Sequence, residues 1–235
     1  MSDHAGGRAP APLAGPLYVI LDAAPHHGRG PEAILKAVIA GGCRLVQLRE
    51  KRLPPAELWP LAVRLRERCR AAGATLIVND RVDLAIALGA DGVHVGQDDL
   101  PAPVARRILP PGMLLGVSTH SDAQARRALA AGADYVAVGS MFPTGSKEGF
   151  DLVGPELVRR LRPEIPVPLV AIGGITPENV GEVIAAGADA VAVISAVSGS
   201  PDPEAAARVF LDRIGAAARG RTGPGRALTH PEKSL

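Results

Sequence analysis

The sequence has few aromatic residues, few cysteines and no long apolar run, and each shortage excludes a class of protein. Aromatic residues make up 3% of the 235 residues, so a hydrophobic core must consist mainly of Ala, Val, Leu and Ile. The two cysteines, Cys43 and Cys69, lack the spacing of metal ligands, and we expect small buried side chains in a reducing compartment. No apolar run approaches the roughly 18 residues of a membrane span, and residues 1–15 lack the apolar segment of a secretory signal. These absences predict a cytoplasmic protein without a membrane partner.

The charge balance argues against a nucleic-acid-binding protein. The net charge is +2, which is too balanced for such a protein, since a nucleic-acid binder normally carries a clustered basic face. An apolar fraction of 47% supplies a sizeable core for one domain of this length. Both ends are rich in Gly, Pro and polar residues without periodicity. We therefore expect residues 1–15 and 218–235 to be disordered and residues 16–217 to form the domain. Whether copies of the chain assemble into a homo-oligomer is not apparent from the sequence.

Short apolar runs alternate with longer amphipathic segments along this domain. The longer segments, such as Pro55–Ala72 and Asp122–Ala131, have apolar residues at helical spacing and Arg or Glu on the other face. Eight runs are typical of buried strands: Leu17–Leu21, Leu45–Leu48, Thr75–Val78, Gly92–Val95, Leu114–Val117, Tyr135–Val138, Pro168–Ile172 and Ala190–Ile194. Eight strands joined by helices predict a parallel sheet closed into a single (β/α)8 barrel, the TIM barrel of the α/β class. An open doubly wound sheet would need a glycine-rich turn after the first strand, and none follows Leu21.

A repeated segment supports this strand count. Three segments share a helix end, the triplet Gly-Ala-Asp and a short strand: Leu88–Val95, Ala131–Val138 and Ala186–Val193, with a looser copy at Ala40–Gln47. The aspartates of the three copies lie 43 and 55 residues apart, about the length of two strand-helix units. The copies would then be the second, fourth, sixth and eighth strands. We expect Asp91, Asp134 and Asp189 to have a structural role at the strand starts.

Polar residues follow the strands at the end where a barrel of this kind binds its ligand. On the second strand, alternation places Gln47, Arg49 and Lys51 on one side, with Leu48 and Glu50 between them. A guanidinium beside an ammonium is well suited to bind a diphosphate. We therefore expect the whole segment to contact a phosphorylated small molecule. A simpler interpretation is that Arg49 and Lys51 form ion pairs with nearby acidic residues.

Two carboxylates at the same rim predict a metal site. Asp80 follows the third strand and Asp99 the fourth, and both offer the hard oxygen ligands that Mg²⁺ takes together with substrate phosphate. Each of the two could instead cap the helix that follows it.

A second phosphoryl group has two candidate contact regions on this rim. The first is the long loop after the sixth strand, with Thr144, Gly145 and Ser146. The second follows strands seven and eight, where barrels commonly build a phosphate site: Gly174, Ile194 and Ser195. The chain has four lysines against 22 arginines, and two of the four, Lys51 and Lys147, belong to this rim. The lysine usage indicates a place where a compact ammonium is needed.

Taken in order, these motifs resemble those of the thiamine phosphate synthase family, from about Leu17 to Ile214. They are Gln47-Leu-Arg-Glu-Lys51, Val78-Asn-Asp80, Val93-His-Val-Gly-Gln-Asp-Asp99, Gly116-Val-Ser118, Pro143-Thr-Gly-Ser-Lys147, Ile172-Gly-Gly-Ile175 and Ile194-Ser195. The resemblance implies an enzyme that joins an aminopyrimidine diphosphate to a thiazole phosphate, releasing diphosphate with the help of Mg²⁺. The one visible departure is Ser146, where the family usually has Thr.

The resemblance also implies a role for each matching residue. The pyrimidine diphosphate would contact Gln47, Arg49, Lys51, Asn79, Ser118 and Lys147, of which Arg49, Lys51, Ser118 and Lys147 would take part in catalysis. Mg²⁺ would bind Asp80 and Asp99. The thiazole phosphate would contact Thr144, Ser146, Gly174, Ile194 and Ser195.

Two other functions remain open at this point. A thiazole tautomerase would share the barrel and use a histidine near His120, without the metal carboxylates. A non-catalytic sensor of a phosphorylated ligand would bind without turnover and would need a partner surface or an effector domain.

Overall fold

The computed structural model describes residues 13–22, 28–143 and 152–220. Within them, eight parallel strands pair in sequence order and close into a barrel, as predicted. The strands are β1 Leu17–Asp22, β2 Leu45–Arg49, β3 Thr75–Asn79, β4 Gly92–Val95, β5 Leu114–Thr119, β6 Tyr135–Val138, β7 Leu169–Ile172 and β8 Ala190–Val193. Each begins within one residue of the predicted start. Closure is completed by β1 against β8, where Leu17 pairs with Val191.

Helices connect the strands around the outside of the barrel. They are α1 Pro31–Ala40, α2 Pro55–Ala71, α3 Val82–Leu88, α4 Ala102–Ile108, α5 Asp122–Ala130, α6 Gly154–Leu161, α7 Val180–Ala185, α8 Ser195–Ser198 and α9 Pro203–Arg219. Proline at the first position starts α1, α2 and α9, since its fixed φ suits a helix start. None of the helices in the described ranges combines the length and apolar character that crossing a membrane requires. The predicted tails lie largely outside the described residues.

The core has two layers, separated by the alternation of side chains along each strand. Leu17, Val19 and Leu21 of β1 face outward and join the large cluster between barrel and helices. Tyr18 and Ile20 face inward and belong to a smaller cluster that fills the barrel. Cys43 and Cys69 are free cysteines with buried side chains, as expected.

The repeated Gly-Ala-Asp segment builds the same contact three times at the amino end of the barrel. In each copy the aspartate accepts a hydrogen bond of 2.8 Å from the backbone N–H of a leucine at or near the start of the preceding strand. An arginine from the helical layer pairs with the same carboxylate: Arg66 with Asp91, Arg106 with Asp134 and Arg162 with Asp189. The predicted structural role of these aspartates is confirmed.

The looser copy is shifted by one residue relative to the other three. The backbone N–H of Cys43 bonds to Val38, as the N–H of Ala90 bonds to Ala85, so Arg44 occupies the position of Asp91. The Arg44 guanidinium then bonds to the carbonyl oxygens of Ile39 and Cys43 instead of forming the ion pair.

Candidate functional site

The carboxyl ends of the strands bring most of the predicted site residues to one rim. Gln47, Leu48 and Arg49 end β2, Asn79 ends β3 and Ser118 lies on β5. The remaining residues follow the strands: Glu50, Lys51, Asp80, Asp99, Gly174, Ile194 and Ser195. Thr144, Gly145, Ser146 and Lys147 lie outside the described residues, so their predicted contacts stay predictions.

An acidic pair with a lysine lies beyond β3 and β4. The Lys51 Nζ is 3.2 Å from Asp80 Oδ2, and the carboxyl group of Asp99 lies next to that of Asp80. Burial, followed by the hydrogen bond and the charge of Asp99, raises the pKa of Asp80, while Lys51 acts in the opposite direction. Two carboxylates held this close repel each other when both are ionised.

The backbone holds the acidic pair in place. Asp80 is the one non-glycine residue with positive φ, at 62°, in the described part of the chain. Its N–H bonds to the carbonyl oxygen of His94 at 2.8 Å, which ties the end of β3 to β4. Asp99 Oδ2 accepts the N–H of Gly96 at 2.7 Å, so its other oxygen can serve a different partner. A left-handed aspartate is a strained feature of the kind found at ligand sites.

Of the simpler interpretations, helix capping by Asp80 and Asp99 is not supported by the contacts, whereas ion pairing of Arg49 and Lys51 is. The N-caps of α3 and α4 are Arg81 and Pro101, and neither helix has a side-chain cap among the described residues. Arg49 and Lys51 do form ion pairs, but with Asp22 at 2.9 Å and with Asp80, both at the rim.

Leu48 and Glu50 have local roles in this arrangement. The Leu48 side chain is 1% exposed and packs in the outer layer of the core, so any ligand contact would involve its main chain. The Glu50 carboxylate accepts the N–H groups of Arg52 and Leu53 and shapes the turn after β2.

A chain of polar side chains crosses the barrel below the rim. Gln47 Nε2 donates to the Tyr18 hydroxyl at 2.7 Å, and that hydroxyl lies 3.0 Å from the Tyr135 hydroxyl. His94 is 3.1 Å from Tyr135 through Nδ1 and 2.8 Å from Ser118 Oγ through Nε2. His94 is therefore a hydrogen-bonded histidine of the barrel interior. The chain links two predicted ligand residues, Gln47 and Ser118.

A cavity of about 350 Å³ opens between the carboxyl ends of β5 to β8. Its lining includes Ser118, His120, Gly174, Ile194 and Ser195. His120 Nδ1 lies 2.5 Å from the carbonyl oxygen of Gly139, across the gap between β5 and β6. The predicted phosphate residues after β7 and β8 thus share one wall of a single cavity.

Gly174 allows the loops after β6 and β7 to approach closely. Its φ is +62°, and a Cβ there would lie 2.5 Å from the carbonyl oxygen of Pro143 and 2.6 Å from that of Phe142. The Asn179 side chain donates to the Gly174 carbonyl oxygen at 3.0 Å and accepts the N–H of Thr176, which supports the turn. Gly174 therefore eases the local geometry of the turn while bordering the cavity.

Three residues near the site escaped the sequence interpretation: Tyr18, Tyr135 and Asp22. The chain has only two tyrosines, and both lie on inward-facing strand positions of an otherwise aliphatic core. That scarcity was an available signal. Asp22 lacked one, because an acid at the end of a first strand is ordinary.

Comparison with known proteins identifies related chains. The family model described as thiamine monophosphate synthase matches residues 17–197. The thiamine-phosphate synthase of Methanoculleus marisnigri is 54% identical over 210 residues, covering 87% of this chain and 98% of that protein. The thiamine biosynthesis bifunctional protein of Symbiobacterium thermophilum is 51% identical over 212 residues, covering 88% of this chain and 43% of that longer protein. The structure of thiamine phosphate pyrophosphorylase from Pyrococcus furiosus aligns with a TM-score of 0.77 at 36% identity, covering 86% of this chain and 96% of that one.

Proposed function

Because the chain belongs to the thiamine monophosphate synthase family, we propose that it joins an aminopyrimidine diphosphate to a thiazole phosphate. The products are thiamine phosphate and diphosphate, so the enzyme is a transferase of a pyrimidinylmethyl group. The observation that carries this proposal is the cluster of Lys51, Asp80 and Asp99 at the rim. Two adjacent carboxylates beside cationic residues suit a diphosphate that is bound together with a divalent cation.

The acidic pair fits a divalent cation. Asp80 and Asp99 supply hard oxygen ligands, and a cation between them would offset the burial and the repulsion from Asp99 that raise the pKa of Asp80. No group of three or more candidate metal ligands occurs among the described residues. Such a pair suits Mg²⁺, which completes its coordination with water and substrate phosphate. When bound, Mg²⁺ would neutralise charge on the leaving diphosphate.

The cationic residues of β2 bind the same leaving group. Arg49 is positioned by Asp22 at 2.9 Å, and Lys51 is positioned by Asp80. Both can stabilise the charge that develops on the diphosphate oxygens as the carbon–oxygen bond breaks, and Lys147 would add a third cation. The electron-rich aminopyrimidine can bear the resulting carbocation, so no protein nucleophile is required. Gln47, Asn79 and Ser118 would orient the pyrimidine ring.

The cavity between β5 and β8 is the proposed site of the thiazole phosphate. Gly174, Ile194 and Ser195 border it, and the segment with Thr144, Gly145 and Ser146 continues directly from Pro143 on its lining. Both substrates would then meet near Ser118, which lines this cavity and also ends the polar chain from Gln47. Holding the two reactants side by side converts a bimolecular step into an effectively unimolecular one.

The test is a direct assay of both products. Purified protein receives the two substrates and Mg²⁺, with and without a chelator, and thiamine phosphate and diphosphate are followed. We expect metal-dependent formation of both products, lost in Asp99→Asn and Lys147→Ala. The matched control Asp98→Asn removes an exposed carboxylate one residue away and should retain activity. Folded protein that forms no product would contradict the proposal.

One observation favours a second candidate, the thiazole tautomerase. His120 lines the cavity, where it could move a proton on a thiazole ring. In that case the protein would isomerise the thiazole phosphate without the pyrimidine substrate, and His120→Gln would abolish this reaction. Binding without either reaction would favour a sensor. A cytoplasmic location stays a prediction.

A further inference from the structure

We propose that Tyr18 and Tyr135 are positioning residues that relay hydrogen-bond donation in one direction, from Gln47 to Ser118, so that Ser118 presents its proton to the substrate. The direction of these hydrogen bonds can be tested independently, whereas their effect on substrate binding rests on the proposed function. The five side chains come from five different strands, β1, β2, β4, β5 and β6. No local motif could have assembled them.

The direction of the relay follows from counting protons. Gln47 Nε2 donates to the Tyr18 oxygen, so Tyr18 directs its own proton to its other described neighbour, the Tyr135 oxygen. Tyr135 in turn donates to His94 Nδ1. The imidazole then carries its proton on Nε2 and donates to Ser118 Oγ at 2.8 Å. The Ser118 proton is left to point away from His94, toward the cavity that Ser118 lines.

Both tyrosines keep their protons under all ordinary conditions. Tyr18 is 1% exposed and Tyr135 is fully buried, and burial raises the pKa of each hydroxyl well above its usual range. A buried polar group without a partner is costly, so each hydroxyl is constrained to keep its neighbours. A relay of this kind is therefore rigid in direction as well as in position.

The packing shows that the barrel accommodates this chain at one specific place. The His94 and Tyr135 rings stack with centroids 5.5 Å apart, and the two tyrosine rings meet edge to face at 6.1 Å. Gly116 lies beneath the stacked pair: a Cβ there would be 2.1 Å from Tyr135 Cζ and 2.5 Å from His94 Nδ1. A side chain at Gly116 would displace both rings, so the motif Gly116-Val-Ser118 carries a glycine for packing reasons and a serine for binding.

The consequence for function concerns which partner donates. An aminopyrimidine offers ring nitrogens that accept hydrogen bonds, and a Ser118 hydroxyl with a free proton can donate to one of them. If the relay ran in the opposite direction, the Ser118 hydroxyl would donate its proton to His94. It could then only accept a hydrogen bond from the substrate. The tyrosines thus act on the substrate through His94 and Ser118 without touching it.

The experiment uses Tyr135→Phe, which removes one hydroxyl and conserves the ring. Nitrogen-15 NMR of the histidine side chains, with His94 assigned through His94→Gln, reports which ring nitrogen carries the proton. We expect protonated Nε2 and unprotonated Nδ1 in the unaltered protein, and a mixture of tautomers in Tyr135→Phe. Tyr18→Phe should shift the signals in the same direction but less, because Tyr135 can still donate to Nδ1.

Kinetics provide the second measurement. The loss of one donor should raise KM for the pyrimidine substrate about tenfold in Tyr135→Phe, with KM for the thiazole phosphate unchanged. The control Ser198→Ala removes another buried hydroxyl, which donates to the Ile20 carbonyl oxygen, and should change neither KM nor the His94 signals.

The outcomes separate the two proposals. A proton on Nδ1 in the unaltered protein, or His94 signals unchanged by Tyr135→Phe, would overturn the relay even if thiamine phosphate is made. The expected tautomer shift in a protein that forms no thiamine phosphate would support the relay and refute the proposed function alone. An equal rise in KM for both substrates would indicate general loosening of the barrel and would also overturn the positioning role.

Discussion

The two ends of the barrel are built from the same strands but treat charge in opposite ways. At the amino end, each repeated aspartate is paired with an arginine and a backbone N–H, so its charge is compensated within the chain. At the carboxyl end, Asp80 and Asp99 are held against each other with a single lysine beside Asp80. An aspartate whose charge is compensated within the chain indicates a structural role, whereas adjacent like charges at a rim indicate a binding site. The sequence repeat marks positions of the first kind, whereas Asp80 and Asp99 lie outside the repeat.

The largest expected effect is at the carboxyl end, on activity alone. Asp80→Asn keeps the size of the side chain, tolerates the left-handed backbone and removes one of the two charges proposed to bind Mg²⁺. We expect kcat/KM to fall about 10²- to 10³-fold. The free energy of unfolding should change by less than about 1 kcal/mol, because relief of repulsion from Asp99 offsets the lost ion pair. Steady-state kinetics and urea denaturation check both parts. A large loss of stability with unchanged activity would reverse the assignment of the two ends.

The next largest effect is at the amino end, on stability alone. Asp134→Ala removes the acceptor of the Leu115 N–H and leaves Arg106 without its carboxylate. The free energy of unfolding should fall by about 2–3 kcal/mol. Activity per folded molecule should be unchanged, since the site is at the other end of the strands. A specific loss of kcat in protein shown to be folded by circular dichroism would contradict this.

Between the two ends, the buried tyrosines predict an alkaline loss of stability. Burial raises the pKa of Tyr18 and Tyr135 above the value of about 10 for an exposed tyrosine. Their contribution is complete below that pH and declines as the pH rises toward the folded-state pKa, because the unfolded chain releases protons first. The slope is up to about 1.4 kcal/mol per pH unit for each tyrosine. Urea denaturation at several alkaline pH values measures it, and the Tyr18→Phe/Tyr135→Phe double variant should have a flatter profile. Equal slopes in both proteins would refute the assignment.

The smallest effect is a gradation among the three amino-end pairs. The aspartate side chains are 13% exposed at Asp134, 24% at Asp189 and 34% at Asp91. Because solvent weakens an ion pair, alanine substitution should cost most at Asp134 and least at Asp91, with a spread of about 1 kcal/mol. Parallel urea titrations of the three variants decide the order. Equal losses would indicate that the shared backbone hydrogen bond dominates over the arginine.

The fold was predictable because its signals are local and repeated. The alternation of short apolar runs with amphipathic segments predicted every strand start to within one residue. The three Gly-Ala-Asp copies independently predicted the fourth, sixth and eighth strands. The looser copy was the harder case: Arg44 stands at the aspartate position, and only the backbone hydrogen bond from Cys43 to Val38 shows the shift.

The site was predictable in part. The position of residues after strands was enough to place Lys51, Asp80 and Asp99 on one rim, because parallel strands bring their carboxyl ends together. The ion-pair partners of the residues on this rim were not predictable. Arg49 pairs with Asp22, because the register of β1 against β2 sets Asp22 beside Arg49.

The sequence by itself determined the eight-stranded barrel, the end at which its polar residues gather and the structural role of its repeated aspartates. These follow from periodicity and from the fixed direction of parallel strands. Only the tertiary structure decided that Tyr18, Tyr135 and His94 form one chain, and that Gly116 makes room for it. Those residues lie on four strands and 117 positions separate the two tyrosines, so their meeting depends on how the closed sheet packs its interior. The local sequence pattern does not predict contacts of that kind, because each residue alone resembles an ordinary member of a buried strand.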